Sequence, residues 1–235
     1  TTLSVIAGMT RRVRLGTNIL IAALRRPVTL AKTAATLDVL SGGRLDLGVG
    51  VGWQREEYEA AGLQFDGRGK LLNHSLEVCQ LLWREQRASY DSPLLKFSNI
   101  HQMPKPAQPG GVPIWVSGTI NKSTMDRLAR FGSAWIPWGP DAADLKNSIP
   151  RMREELARRG RDGAELQVVG HIPMVKTASG DMDIARTMEK LPELAAAGVT
   201  DFRATLSLPK DQHAAADKLR PIVQAFRAAM GLPAA

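Results

Sequence analysis

Short apolar runs alternate with helical stretches along almost the whole chain, and this alternation restricts the fold more than any other feature of the sequence. Residues 13–21 (VRLGTNILI), 45–51 (LDLGVGV), 113–117 (PIWVS), 133–138, 166–175 and 199–206 read as strands. Each is followed by a helical stretch, over residues 29–40, 70–83, 123–131, 142–159, 181–197 and 212–230. Strands that are apolar throughout must be covered on both faces, which calls for a parallel sheet layered with helices. Six strand–helix units are visible. A (β/α)8 barrel of the TIM type needs eight, and an open, doubly wound six-stranded sheet is the alternative.

Residues 84–112 break the rhythm. Residues 88–90 and 95–97 flank Asp91-Ser92-Pro93 as a small hairpin, and Pro104, Pro106, Pro109 and Gly110-Gly111 mark an extended loop. The rest of the 235 residues fits one domain, 1–235, with 84–112 as an insertion. One cysteine, Cys79, precludes an intrachain disulfide. No apolar run reaches the roughly 18 residues of a membrane helix, and residues 1–30 lack a secretory signal pattern. A cytoplasmic protein without a membrane partner is the expectation. The net charge of +8 is dispersed, and no nucleic-acid-binding motif accompanies it, so an anionic small ligand suits it better than nucleic acid. His74, His101, His171 and His213 have no metal-ligand spacing, and no metal site is expected.

Three stretches carry possible chemistry. Gly48-Val49-Gly50-Val51-Gly52 closes the second visible strand, and glycines there admit a ligand or a neighbouring backbone. The spacing does not satisfy GxGxxG, since Trp53 and Arg55 stand where glycine is required. Tight packing within a barrel is the alternative. Ser117-Gly118-Thr119 leads into a helix beginning near Ser123-Thr124, an arrangement that suits a phosphate; plain capping by Ser123 explains it equally. Thr17-Asn18-Ile19 puts an asparagine inside an apolar strand, which points to a bulge near a ligand or to an exposed strand end. Among the remaining residues, Cys79 shares an apolar helix stripe with Leu72, Leu76 and Trp83 and reads as inert core. His74 reads as exposed or core-edge, and His171 is a weaker candidate for a barrel mouth. Asp38 and Arg44 flank the Ser41-Gly42-Gly43 turn and read as a structural pair. Leu3, Val5, Ile6 and Met9 fit one face of a short helix.

Residues 10–62, TRRVRLGTNILIAALRRPVTLAKTAATLDVLSGGRLDLGVGVGWQREEYEAAG, resemble the luciferase-like monooxygenase superfamily, and most of all its subgroup using the deazaflavin F420. PKPAQPGGVPIWVSGT, RLARFGSAWIPWG and AGVTDFRATL extend the resemblance over nearly the whole chain. The resemblance implies a TIM-type barrel that lacks its first two β/α units, roughly 60 residues at about 30 per repeat. It implies a bulge with a non-prolyl cis peptide at Asn18–Ile19, beside Thr17, under the cofactor ring. It implies that Gly50, Val51, Gly52 and Trp53 line the cofactor, and that Ser117, Gly118 and Thr119 with Ser123 hold its phosphate. The family's usual acid–base residues would precede Thr1, and some deazaflavin-dependent sugar dehydrogenases carry a glutamate where Trp53 stands, so the catalytic residues stay unassigned. The implied function is an oxidoreductase or monooxygenase that binds F420, or alternatively FMN, and passes a hydride to or from a small organic substrate. The alternative is a vestigial protein that binds such a ligand or only oligomerises. Six strands cannot close an eight-stranded barrel; the strands at 13–21 and 199–206 are then edges, and a homodimer is expected to cover them.

Overall fold

The computed structural model describes residues 1–233. Contacts group them into two units, Thr1–Ile136 and a second beginning at Pro137.

The first unit opens with helix α1 (Thr2–Met9), which the sequence pattern orients differently from the structure. Its buried residue is Ala7, whereas Val5, Ile6 and Met9 are exposed. The helix packs through its alanine, with Leu3 half-buried and the other large side chains in solvent. The expected strand at 13–21 forms as two short pieces, β1 (Leu15–Gly16) and β2 (Leu20–Ile21), followed by a 3-10 turn, Ala22–Leu24. Helix α2 (Pro27–Ser41) then starts on a proline, whose missing N–H is harmless in the first turn. Strand β3 (Leu45–Gly50) is buried along its whole length, as a strand covered on both faces requires. Helix α3 (Arg55–Ala60) follows, with Glu56 and Glu57 in its first turn. Helix α4 (Arg68–Arg84) buries Leu72, Leu76, Cys79 and Trp83, the stripe visible in the sequence. The Cys79 thiol sits 3.6 Å from the Pro27 carbonyl oxygen, and burial pushes its pKa up, so it is inert core.

Strands β4 (Ala88–Ser92) and β5 (Leu95–Ile100) form the antiparallel hairpin. The proline-rich segment that follows is held by side chains. Gln102 Nε2 donates to Val28 O at 3.0 Å, and Lys105 Nζ to Leu82 O at 2.6 Å. The chain then enters strand β6 (Ile114–Gly118), helix α5 (Lys122–Phe131) and strand β7 (Ala134–Pro137). Strands β1, β2 and β6 all pair with β3 in parallel. Leu47, Val49 and Val116 belong to the apolar layer under the helices, while Gly48, Gly50 and Ser117 alternate to the other face.

Asp38 and Arg44 do not form the expected pair with each other. The Asp38 carboxylate accepts from Gln108 N at 3.0 Å, Gln108 Nε2 at 2.8 Å and Leu45 N at 3.4 Å. The Arg44 guanidinium donates to the carbonyl oxygens of Ser41, Ala7, Thr10 and Val13. Both side chains are buried, and each charge has charge-assisted hydrogen bonds to backbone or amide groups. On the neighbouring strand β3 the Asp46 carboxylate does take an arginine, Arg14, through two contacts of 2.7 and 2.6 Å.

In the second unit the stretch 142–159 divides into α6 (Pro140–Ala143) and α7 (Leu145–Ala157), separated at Asp144. Asp144 leaves helical geometry and starts the new helix, its carbonyl accepting from Ser148 N at 2.9 Å. Strand β8 (Gln167–His171) follows, with His171 exposed at its C-terminal end. The stretch 181–197 also divides, into α8 (Ile184–Met188) and α9 (Leu191–Ala197), with Pro192 in the first turn of α9, where its missing N–H is harmless. Strand β9 (Asp201–Arg203) pairs with β8 in parallel, and α10 (Gln212–Ala229) closes the unit. Met188, Leu191 and Ile222 form its core with Phe202 and Phe226.

Candidate active site

The C-terminal ends of β2, β3 and β6 lie along one edge of the first unit, because the three strands run in the same direction. Of the residues singled out from the sequence, Ile19, Gly50 and Ser117 come together there. Gly16 stands opposite Asp46 and Leu20 opposite Val49, so the three residues Thr17–Ile19 face only two, Leu47 and Gly48. This is a one-residue bulge, and the Asn18–Ile19 peptide within it is cis. The Asn18 side chain is exposed, while Thr17 and Ile19 are half-buried. The bulge therefore presents Ile19 and the backbone inward, not the asparagine side chain.

The glycines of β3 are shaped by this bulge. A Cβ on Gly48 would stand 1.9 Å from the Thr17 carbonyl oxygen, and Thr17 Oγ1 donates to Gly48 O at 2.7 Å. At Gly48 the close neighbour is thus the chain's own backbone, the packing alternative raised by the sequence. Gly50 is different. A Cβ there would lie 2.9 Å from Ile19 Cδ1 and 3.7 Å from Ser117 Cβ, so Ile19, Gly50 and Ser117 lie side by side. Val51 and Gly52 are half-buried, and Trp53 is 78% exposed at the rim.

The turn after β6 is built around Gly118, whose φ of 152° suits glycine alone. A Cβ would meet Thr124 Oγ1 at 2.8 Å. The Trp135 indole Nε1–H donates to Gly118 O at 2.9 Å. The helix cap is Asn121, not Ser123. Asn121 Oδ1 accepts from Thr124 N at 3.0 Å, and its Nδ2 donates to Thr119 O, Thr119 Oγ1 and Thr124 Oγ1. Ser123 is exposed in the first turn of α5. Asparagine ranks at the top of N-cap preferences, so NKST held the signal two residues before the serine that drew attention. The Lys122 ammonium reaches Asp126 at 2.7 Å. Arg127, buried on α5, donates to Asn73 Oδ1 at 2.7 Å and Gly69 O at 3.1 Å, and burial lowers its pKa. It joins α5 to α4.

Two further residues were invisible in the sequence. Tyr58 Oη donates to Val51 O at 2.6 Å and Arg68 Nε to Gly52 O at 3.3 Å. Burial raises the Tyr58 pKa, against the lowering effect of Arg68, so the phenol is a proton donor at neutral pH. Among the described residues no group of His, Cys, Asp and Glu is disposed to hold a metal ion.

The chain is 32% identical over 195 residues to an uncharacterized protein of Mycobacterium tuberculosis, covering 83% of this chain and 64% of that protein. It is 30% identical over 213 residues to an F420-dependent glucose-6-phosphate dehydrogenase of Kineococcus radiotolerans, covering 88% of this chain and 58% of the enzyme. The chain thus spans less than two thirds of the length of these relatives. A crystal structure of the long-chain alkane monooxygenase LadA superposes with a TM-score of 0.71 at 15% identity, covering 97% of this chain and 72% of that one, a likeness of fold. The luciferase-like monooxygenase family model matches residues 1–229, and the chain belongs to that family.

Proposed function

We propose that this chain binds F420, with FMN as the alternative, and supports hydride transfer between that cofactor and a small organic substrate. The observation that carries the reading is the convergence of Ile19, Gly50 and Ser117 at the C-terminal ends of three parallel strands, where β/α-barrel enzymes place their sites. The name of the Kineococcus relative favours F420. The site also fits an anionic group by its own chemistry. Beyond the Thr124 N–H held by the Asn121 cap, the first turn of α5 offers the backbone N–H groups of Lys122 and Ser123 with the positive end of its dipole.

The residues divide the work. Ile19 and Gly50 would support the ring, and Thr119 and Ser123 with the α5 N-terminus would hold the phosphate. When bound, the cofactor supplies the hydride chemistry. The chain's task is to fix the ring face and to exclude water from it. Trp53 at the rim stands where it can shield the ring edge. We also propose a homodimer. Val5, Met9 and Val13 are exposed apolar residues on α1 and beside β1, and a second copy covering them would remove an edge liability.

Fluorescence titration of the purified chain with F420 and separately with FMN tests the first reading, with Gly118→Val as the variant. Saturable binding of one of them, weakened at least tenfold in Gly118→Val while the melting curve stays cooperative, is expected. Binding of neither overturns the proposal. Sedimentation tests the second reading, and a monomer at all concentrations would defeat it.

A further inference from the structure

The turn Val51–Trp53 is gripped from one side through two consecutive carbonyl groups. Tyr58 Oη holds the Val51 carbonyl at 2.6 Å, and Arg68 Nε holds the Gly52 carbonyl at 3.3 Å. The two side chains come from different helices, α3 and α4, and Phe65 locks them together. The Arg68 guanidinium lies over its ring at 3.7 Å, and Tyr58 meets it edge-on at 5.6 Å. Tyr58 is fully buried and Arg68 half-buried, so neither contact is a loose surface encounter.

The peptide unit is planar and, here, trans, so the C=O of one residue and the N–H of the next point in opposite directions. Fixing the Val51 and Gly52 carbonyls toward Tyr58 and Arg68 therefore turns the N–H groups of Gly52 and Trp53 away from those helices. No backbone or side-chain acceptor in the described residues takes either N–H. Successive outward N–H groups in a turn form a small concavity that accepts an oxygen bearing negative charge. We infer that Tyr58 and Arg68 are positioning residues that hold Gly52 and Trp53 as a paired N–H donor for a carbonyl or oxyanion oxygen of the ring-bearing ligand. The inference rests on the flavin-type reading of this edge and adds to it the residues that aim the donors.

The test uses the 235-residue chain and the variants Tyr58→Phe, Arg68→Ala and Arg68→Lys. Arg55→Ala is the control, since Arg55 also stacks on Phe65, at 4.7 Å, without touching the turn. Two readouts are taken. The first needs no ligand: 15N relaxation of the Gly52 and Trp53 amides. Tyr58→Phe and Arg68→Ala are expected to lower the order of both amides, Arg68→Lys to restore it in part, and Arg55→Ala to leave it unchanged. The second is the dissociation constant for F420 and FMN, expected to rise about tenfold in Tyr58→Phe and Arg68→Ala with the melting temperature nearly unchanged in Tyr58→Phe. Unaltered amide order in both variants overturns the inference. So does altered order with unaltered affinity, if the parent binds either cofactor. If the parent binds neither, the flavin-type reading fails, and the amide measurement alone still decides whether the two side chains position the turn.

Discussion

The indole Nε1–H of Trp135 donates to the carbonyl oxygen of Gly118 at 2.9 Å, so a fully buried ring on β7 fixes the last residue of β6. That carbonyl cannot turn without losing its donor, and the peptide that follows it leads into the Asn121 cap. The replacement Trp135→Phe keeps most of the ring and removes the donor. It is expected to lower stability by about 1–3 kcal/mol and to weaken binding of a phosphate-bearing ligand. Urea denaturation alongside a binding titration checks both; lost stability with intact binding would make the bond purely structural.

The two β3 glycines should respond differently to a single methyl group. At Gly48 the obstacle is the Thr17 carbonyl, at 1.9 Å, which is backbone. At Gly50 it is the end of the Ile19 side chain, at 2.9 Å, which can rotate. Gly48→Ala is expected to cost several times more stability than Gly50→Ala, for which about 1–3 kcal/mol is the usual range of overpacking. Equal costs in thermal unfolding would mean that the bulge yields as easily as a side chain.

Asp46 and Arg14 offer a contrast with the exposed Lys122–Asp126 pair. The Asp46 side chain is 5% exposed, and both its oxygens are taken by Arg14. Removing one partner of a pair buried on one side leaves an uncompensated charge. Arg14→Ala is expected to destabilise by about 1–3 kcal/mol, below the full buried-pair range because Arg14 itself is half in solvent. Lys122→Ala should leave the denaturation midpoint unchanged.

His74 predicts how stability varies with pH. Tyr90 Oη donates to Glu77 Oε2 at 3.0 Å, which leaves its oxygen to accept from His74 Nδ1 at 3.2 Å. Burial lowers the His74 pKa, and the nearby Glu77 offsets this only in part; Arg130 in turn pairs with Glu77. A depressed folded value means that the unfolded chain takes up the proton first. The contribution is complete above the unfolded value of about 6.5 and is lost as pH falls through it toward the folded value. The melting temperature of the parent should therefore drop more steeply between neutral and mildly acid pH than that of His74→Gln. Parallel profiles would remove the histidine from the account.

The alternation of strands and helices was legible because burial on both faces leaves a continuous apolar run, and all six expected strand positions carry strand. Where the structure departs, single residues decide. The run 13–21 is apolar enough for one strand, yet its register shifts by one residue at Thr17–Ile19, a matter of pairing that composition does not record. One helix of the sequence reading is interrupted at Asp144 and another between Met188 and Leu191. At the candidate site the Ser117–Thr119 turn was readable from its small residues. Tyr58 and Arg68 were not, since they act on backbone carbonyls from helices later in the chain and leave no spacing to find.

The segment from Gln102 to Gly111 looks like a slack connection, but it is stapled along its length. Lys32 reaches the Met103 carbonyl, Lys105 the Leu82 and Glu85 carbonyls, Gln108 the Asp38 carboxylate, and Gly111 packs on the Trp83 ring. A protease or an engineered insertion needs backbone that can leave the surface, and this stretch cannot do so without breaking contacts to α2 and α4. The tip of the β4–β5 hairpin at Pro93–Leu94 has no such staples: Leu94 is 63% exposed and its amide meets only the neighbouring Ser92 hydroxyl. Limited digestion should nick the hairpin tip first. The same tip is the place to graft a tag or a reporter peptide, while the proline-rich stretch should reject one.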